Sequence, residues 1–174
     1  MDMTKEATHI ARNDAARNGK AGNGAKGEFL TFRLGGEEYG IDILRVQEIR
    51  SYEQPTRIAN TPEFLRGVVN LRGVIVPIVD LRLKLGCAAE FNAFTVVIVL
   101  NVKGRVIGAV VDSVSDVCEL GGDMIKPAPL MNSGVDISFI TGIANVGERM
   151  LILMDIERLM SASDMALMEQ ATVH

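Results

Sequence analysis

From residue 28 onward, apolar and polar residues alternate in short runs that glycine interrupts, a texture that predicts a chain of short β-strands. Leu30, Phe32 and Leu34 alternate with polar neighbours, Gly35 and Gly36 supply a turn, and Tyr39, Ile41 and Ile43 alternate again, so the first strands form a β-hairpin. On a third strand, Val46, Glu48 and Arg50 share one face opposite Gln47 and Ile49. Thr61 and Pro62 have the chemistry of an N-cap and first helical position, which predicts a short helix ended by Gly67. Val68 and Val69 lead into a turn from Asn70 to Gly73, with Val74 to Val79 as its far arm. Asp80 can cap a further short helix that Gly86 ends.

The second half repeats this plan with different residues. Thr95 to Val102 and Arg105 to Val111 form a hairpin around Lys103 and Gly104. A shift of 68 places Gly40, Val46, Glu48 and Ile49 on Gly108, Val114, Asp116 and Val117. A shift of 75 places Gly67 on Gly142, and Val79, Asp80 and Leu81 on Met154, Asp155 and Ile156. The expected fold is therefore mainly β, with two similar barrels of five strands each. Residues 28–90 would form the first and residues 91–174 the second with a C-terminal helix over 155–170, the two joining near 86–94. Barrels this small bury too little surface to stand alone, so the two should pack together and leave a groove suited to partners. Five of the nine methionines lie from Met150 onward, where they read as core filler.

Composition narrows the function. Residues 1–27 are polar, end in Gly22, Gly24 and Gly27, and read as a flexible N-terminal tail. Those glycines spell GxGxxG, but they follow no strand and open no helix, so a dinucleotide site is excluded. The tail holds five Lys/Arg against three Asp/Glu and the rest thirteen against nineteen, so the body carries net −6, unsuited to nucleic acid. No apolar run reaches the length of a membrane span and no signal peptide is visible, so the expected setting is the cytosol without direct membrane insertion. Cys87 and Cys118 stand apart, without a CxxC or nearby histidine, and read as reduced thiols. The histidines are His9 and His174, at the two ends, where neither has a rigid setting for base catalysis. Asp112 and Asp116 read as solvated strand-end carboxylates. With no catalytic device, metal spacing or cofactor motif in view, the expectation is a non-enzymatic protein without cofactor, working through its surfaces.

Two segments point to a family. YGIDILRVQEIR, Tyr39 to Arg50, and RIANTPEFLRGVVNLRGVIVPIVDLR, Arg57 to Arg82, resemble the hallmark stretch of CheW proteins. The similarity continues through TVVIVLNV at Thr95, IGAVVDSVSDV at Ile107, IKPAP at Ile125 and RMLILMDIERLM at Arg149, and so spans about residues 28–170. CheA kinases and CheV proteins carry the same fold beside a kinase or receiver domain, for which these 174 residues leave no space. The resemblance implies two SH3-like five-stranded barrels packed on each other and a scaffold that couples transmembrane chemoreceptors to the histidine kinase CheA. A paralogue serving a motility or second-messenger array is the alternative reading.

By the same resemblance, the methyl-accepting receptor's cytoplasmic hairpin tip would lie in the groove between the barrels, against Val46, Glu48, Arg72, Val97 and Val117. Arg72 suits this role physically, because a guanidinium at a turn apex projects five donors with no local partner expected. Kinase contact would use Phe64 and Gly67 in the first barrel and Lys126 and Met131 in the loop Ile125 to Met131. Lysine stands there where the family pattern has arginine, and it lacks the fork of donors that arginine presents.

Overall fold

Alternation becomes strand, and glycine becomes turn, along nearly the whole body of the protein. The structure, a computed structural model, describes residues 27–128 and 138–173. Its strands are β1 (Gly27–Leu34), β2 (Glu37–Asp42), β3 (Val46–Ser51), β4 (Leu65–Leu71), β5 (Val74–Asp80), β6 (Val96–Val102), β7 (Arg105–Val111), β8 (Ser113–Leu120), β9 (Ile125–Lys126), β10 (Ile140–Val146) and β11 (Arg149–Met154). Among the described residues, three α-helices accompany them: α1 (Leu81–Lys84), α2 (Ile156–Leu159) and α3 (Ala162–Val173). The expected mainly β architecture with short helices is present. The tail lies outside the described residues except for Gly27, which begins β1.

The strands assemble into a six-stranded sheet ordered β8-β1-β2-β11-β10-β9 and a five-stranded sheet ordered β3-β6-β7-β5-β4. Each sheet draws on both halves of the sequence. The expected division at residues 86–94 therefore does not separate the sheets, since β5 before it and β7 after it pair in parallel within one sheet. The physical reason is a reciprocal exchange: the β1–β2 hairpin sits among strands of the second half, and the β6–β7 hairpin among strands of the first.

The internal repeat survives this exchange down to register. Val46 pairs with Leu100 and Ile49 with Ile98; a shift of 68 turns these into the observed pairs of Val114 with Phe32 and Val117 with Leu30. The parallel pair Ile78–Gly108 has its counterpart in Leu153–Gly40. In both, a large side chain crosses a glycine so closely that a Cβ would lie 2.7 Å from Ile78 Cδ1 at Gly108 and 3.0 Å from Leu153 Cδ2 at Gly40. The backbone amide of Asp80 donates to Phe64 O (2.7 Å), and that of Asp155 to Phe139 O (2.8 Å), 75 residues on in both partners.

One large core lies between the sheets, where Leu30, Phe32 and Leu34 of β1 meet Ile98, Leu100 and Val102 of β6. Smaller clusters cover the opposite faces: Phe29, Leu151 and Leu153 on the six-stranded sheet, and Val76, Ile78, Val97, Val99 and Val110 on the five-stranded one. The C-terminal helix predicted over 155–170 is two helices. Asp155 caps α2, accepting from Glu157 N at 2.9 Å, and Met160 is extended. Ser161 and Asp164 then exchange backbone and side-chain bonds (3.0 Å each), a reciprocal cap that starts α3 afresh. Met154, Met160 and Met168 are buried in the main core as expected of filler, whereas Met150 is exposed.

Candidate functional site

The β4–β5 hairpin ends in a tight turn whose Arg72 (φ 52°) and Gly73 (φ 88°) both lie in the left-handed region, the geometry that matches the twist of the flanking strands. Asn70 Oδ1 steadies it by accepting from Gly73 N at 2.8 Å. Arg72 is 71% exposed, as a residue at an apex should be. It is not without a partner, however: its guanidinium donates to the Glu48 carboxylate, which also accepts from Arg50 Nη1 at 3.2 Å. These bonds, Arg72's first, hold the Glu48 carboxyl below the usual carboxylate range despite some desolvation. Beside the turn, Val74 and Ile75 are exposed, so the apex combines cation, anion and apolar surface.

Strand β3 corrects the expected arrangement of Val46 and Glu48. A bulge falls between them, so Val46 opposes Leu100 while Glu48 opposes Val99, with Gln47 as the extra residue. Val46 therefore turns inward with Ile49 onto the core between the sheets, and Glu48 and Arg50 take the other face. Arg50 pairs directly with Val97, which is buried, and a small cavity edged by Arg50, Leu71 and Val97 opens there. Val117 on β8 is half-buried and packs on the same central core as Val46. Glu48, Arg72 and Val97 thus gather on one face, while Val46 and Val117 stand on edge strands of the two sheets. Arg50, Val74 and Ile75 were not assigned to the site from sequence; the signal for Arg50 was its place two residues from Glu48.

The predicted helix from Thr61 to Gly67 is absent. Thr61 Oγ1 donates to Ile58 O (2.9 Å) rather than capping, Pro62 O accepts from Leu65 N (3.1 Å) in a turn, and β4 begins at Leu65. Gly67 sits inside β4 with φ 141°, where Thr56 and Val68 pair backbone to backbone at 2.9 Å in both directions. Its lack of a side chain admits that second chain. Phe64 is half-buried against the main core, with Lys84 Nζ 4.5 Å from its ring centre. Lys126 is exposed on β9 opposite Ile143, and Met131 lies outside the described residues.

The remaining charges brace the framework, around Arg82 and Asp112 at the strand ends and around Arg149 within the six-stranded sheet. Arg82 is fully buried, forks onto Asp80 (2.9 and 3.0 Å), and reaches Asp112 Oδ1 at 3.1 Å and the Glu90 carbonyl. Asp112 also accepts from Gly35 N at 2.9 Å, and its own N donates to Arg33 O. Arg149 bonds both Glu38 (2.6 Å) and Asp116 (3.0 Å), and it holds both carboxyls below their ordinary range. Asp112 and Asp116 are therefore bonded parts of the framework that stay partly solvated, their side chains 34% and 49% exposed. Each carboxylate faces a guanidinium, an arrangement suited to fixing surfaces and not to moving protons. Cys87 and Cys118 are free, the latter buried with its thiol pushed up by desolvation. Among the described residues no cluster of His, Cys, Asp or Glu could hold a metal ion.

Comparison with known proteins adds an independent line. The model of the CheW-like domain matches residues 28–164. Chemotaxis protein CheW of Klebsiella aerogenes is 57% identical over 150 residues, covering 86% of this chain and 90% of that protein. Chemotaxis protein CheW of Rhizobium meliloti is 36% identical over 156 residues, covering 89% and 93%. Among solved structures, the scaffolding protein TtCheW of Thermoanaerobacter tengcongensis superposes with a TM-score of 0.73 at 31% identity, covering 80% of this chain and 95% of that one.

Proposed function

Because the chain belongs to the CheW-like domain family, we propose that it is the adaptor that couples methyl-accepting chemotaxis receptors to the histidine kinase CheA. It works as a chemotaxis scaffold in the cytosol beside receptor arrays at the inner membrane, binding one partner on each of two surfaces. The receptor's hairpin tip meets Glu48, Arg72 and Val97 on the five-stranded sheet, with Val46 and Val117 at the adjoining edges of the central core. The kinase's regulatory domain meets the side bearing Phe64 and Gly67, with Lys126 and Met131 contributing from the second half.

The observation that carries this reading is the β4–β5 turn. A bonded left-handed turn holds Arg72 beside Glu48 and leaves Val74 and Ile75 exposed, so a charged pair already in place is flanked by apolar surface. A partner helix that covers it desolvates the pair and gains orientation from it. The test measures Tm, kinase affinity and receptor affinity on Arg72→Ala and Arg72→Glu. Arg72→Ala should leave Tm and kinase affinity unchanged and weaken receptor binding roughly thirty-fold. Charge reversal should weaken it further, and added salt should recover part of that extra loss. If Arg72→Ala lowers all three together, the residue serves the fold and the assignment fails.

A further inference from the structure

We infer that α3 is a detachable strap, and that the strip of core beneath it is a docking site for an amphipathic, carboxylate-bearing helix of a protein partner. The strip lies on the core side of the five-stranded sheet, opposite the cluster that holds Ile78 and Val97, so the inference stands whichever partner meets the outer face. α3 rests against β4 and β5. Its inner face is Asp164, Met165, Met168 and Ala171, spaced at helical intervals, and the two methionines join Leu65 and Val79 in the central core.

The helix is separable from the rest of the fold. Extended Met160 breaks the chain between α2 and α3, and each helix has its own cap, Asp155 for the one and the Ser161–Asp164 pair for the other, so a hinge stands between them. Among the described residues no strand pairs with α3, and both sheets are complete without it. The internal repeat has no place for it either: a shift of 75 carries α1 onto α2, but the residues that correspond to α3 are the link after Gly86 and the start of β6. The matched family domain, residues 28–164, ends in the first turn of α3. A helix of 12 residues is marginal by itself, and this one is held by two methionines and one alanine, which puts it at the low end of local stability.

Charge selects the occupant. α3 carries Asp164 and Glu169 and neither lysine nor arginine. Lys84 Nζ lies 2.6 Å from Asp164 Oδ2, and Arg105 Nη2 lies 3.6 Å from Glu169 Oε1 while its Nη1 donates to Thr172 Oγ1 at 3.4 Å. Both ion pairs thus run from a carboxylate on the strap to a cation on the body, one near each end of the helix. Lifting α3 leaves Lys84 and Arg105 at the two ends of an apolar strip. Such a strip attracts a helix with the same pattern of carboxylates and apolar residues, and repels a basic one.

The test uses Met168→Asp in the full chain. A carboxylate at that fully buried position ejects α3, and because the strap lifts alone, the sheets stay folded. Hydrogen exchange should show α3 unprotected while β6 and β7 keep their protection, with a cooperative melt retained. The probe is a fluorescein-labelled peptide of residues 161–173, compared with a copy carrying lysine in place of Asp164 and Glu169. Fluorescence anisotropy should show saturable binding of the acidic peptide to Met168→Asp and at least tenfold weaker binding to wild type, whose own α3 occupies the strip. Adding Lys84→Glu to Met168→Asp should weaken binding tenfold or more. Global unfolding of Met168→Asp, an α3 that stays protected in it, no saturable binding at millimolar peptide, equal binding of the lysine copy, or wild type binding as tightly as the variant would each overturn the proposal. So would sedimentation of wild type as a dimer that Lys84→Glu dissolves, since the occupant would then be the α3 of a second copy.

Discussion

Replacing Gly67 with alanine should destabilise the fold itself and not merely a binding surface. A Cβ at this position would collide with the Thr56 carbonyl oxygen and lie 2.7 Å from its carbon and 3.1 Å from Arg57 N. Both neighbours are backbone, pinned by the paired bonds between Thr56 and Val68, so neither can swing aside as a side-chain end would. The backbone at φ 141° adds about 1 kcal/mol for any residue with a Cβ. Overpacking adds about 1 to 3 kcal/mol, for a total of about 2 to 4 kcal/mol and a fall in Tm of roughly 5 to 15 °C. Two other glycines calibrate the claim. At Gly73 (φ 88°) nothing lies within 4 Å of a Cβ, so only the backbone cost applies. At Gly142, where φ is not positive, a Cβ would meet the β-branch methyl of Ile125 (Cγ2) at 2.7 Å and the Lys126 carbonyl oxygen at 3.1 Å. Overpacking applies there without the left-handed backbone cost, and the backbone approach is less severe than at Gly67. Urea and thermal unfolding of the three alanine variants should rank Gly67 well below the other two. A Gly67→Ala protein as stable as Gly73→Ala would refute the reasoning, and loss of kinase affinity at unchanged Tm would return Gly67 to a purely interfacial role.

Expressed alone, residues 28–90 should fail to fold, because β1, β2, β3 and β5 each lose a pairing strand from the second half; a cooperative melt of that fragment would contradict the exchanged topology. Arg82→Met should cost about 3 to 5 kcal/mol by leaving buried Asp80 without its fork, and adding Asp80→Asn should recover part of the loss in a double-mutant cycle. Arg149→Gln should lower stability at neutral pH, where Glu38 and Asp116 are ionised. Both carboxyls are held below their ordinary values, so their contribution is present above those values and vanishes as pH falls through the lowered ones. The gap between wild type and variant should therefore close in acid, and a gap that stays constant down to acid unfolding would mean that Arg149 acts by packing alone.

The hairpins are legible in the sequence because alternation and turn glycines are local signals, and the helix of Leu81–Lys84 is legible because Asp80 and Gly86 bracket it. The repeat is legible too, down to which residues correspond. Strand exchange is not, because local alternation is the same whichever strand lies alongside. The bulge at Gln47 hides for a related reason: period-two counting places Val46 with Glu48, although the spacing of three between Val46 and Ile49, repeated at Val114 and Val117, marks it. Thr61 and Pro62 mislead because the same residue types serve turns and helix starts, and only the approach of Thr56 to Gly67 decides between them. For the site, an arginine at a turn apex can be read from sequence, but its bonding to Glu48 depends on β3 and the β4–β5 turn meeting, which is tertiary.

The most direct test of the adaptor reading is co-sedimentation of purified CheA with vesicles carrying chemoreceptors, with and without this protein. The account predicts that CheA pellets with the vesicles only when the protein is present, and that Arg72→Glu leaves both the protein and CheA in the supernatant while the two remain bound to each other. CheA that pellets equally without the protein, or that is brought down as well by Arg72→Glu as by wild type, would contradict it.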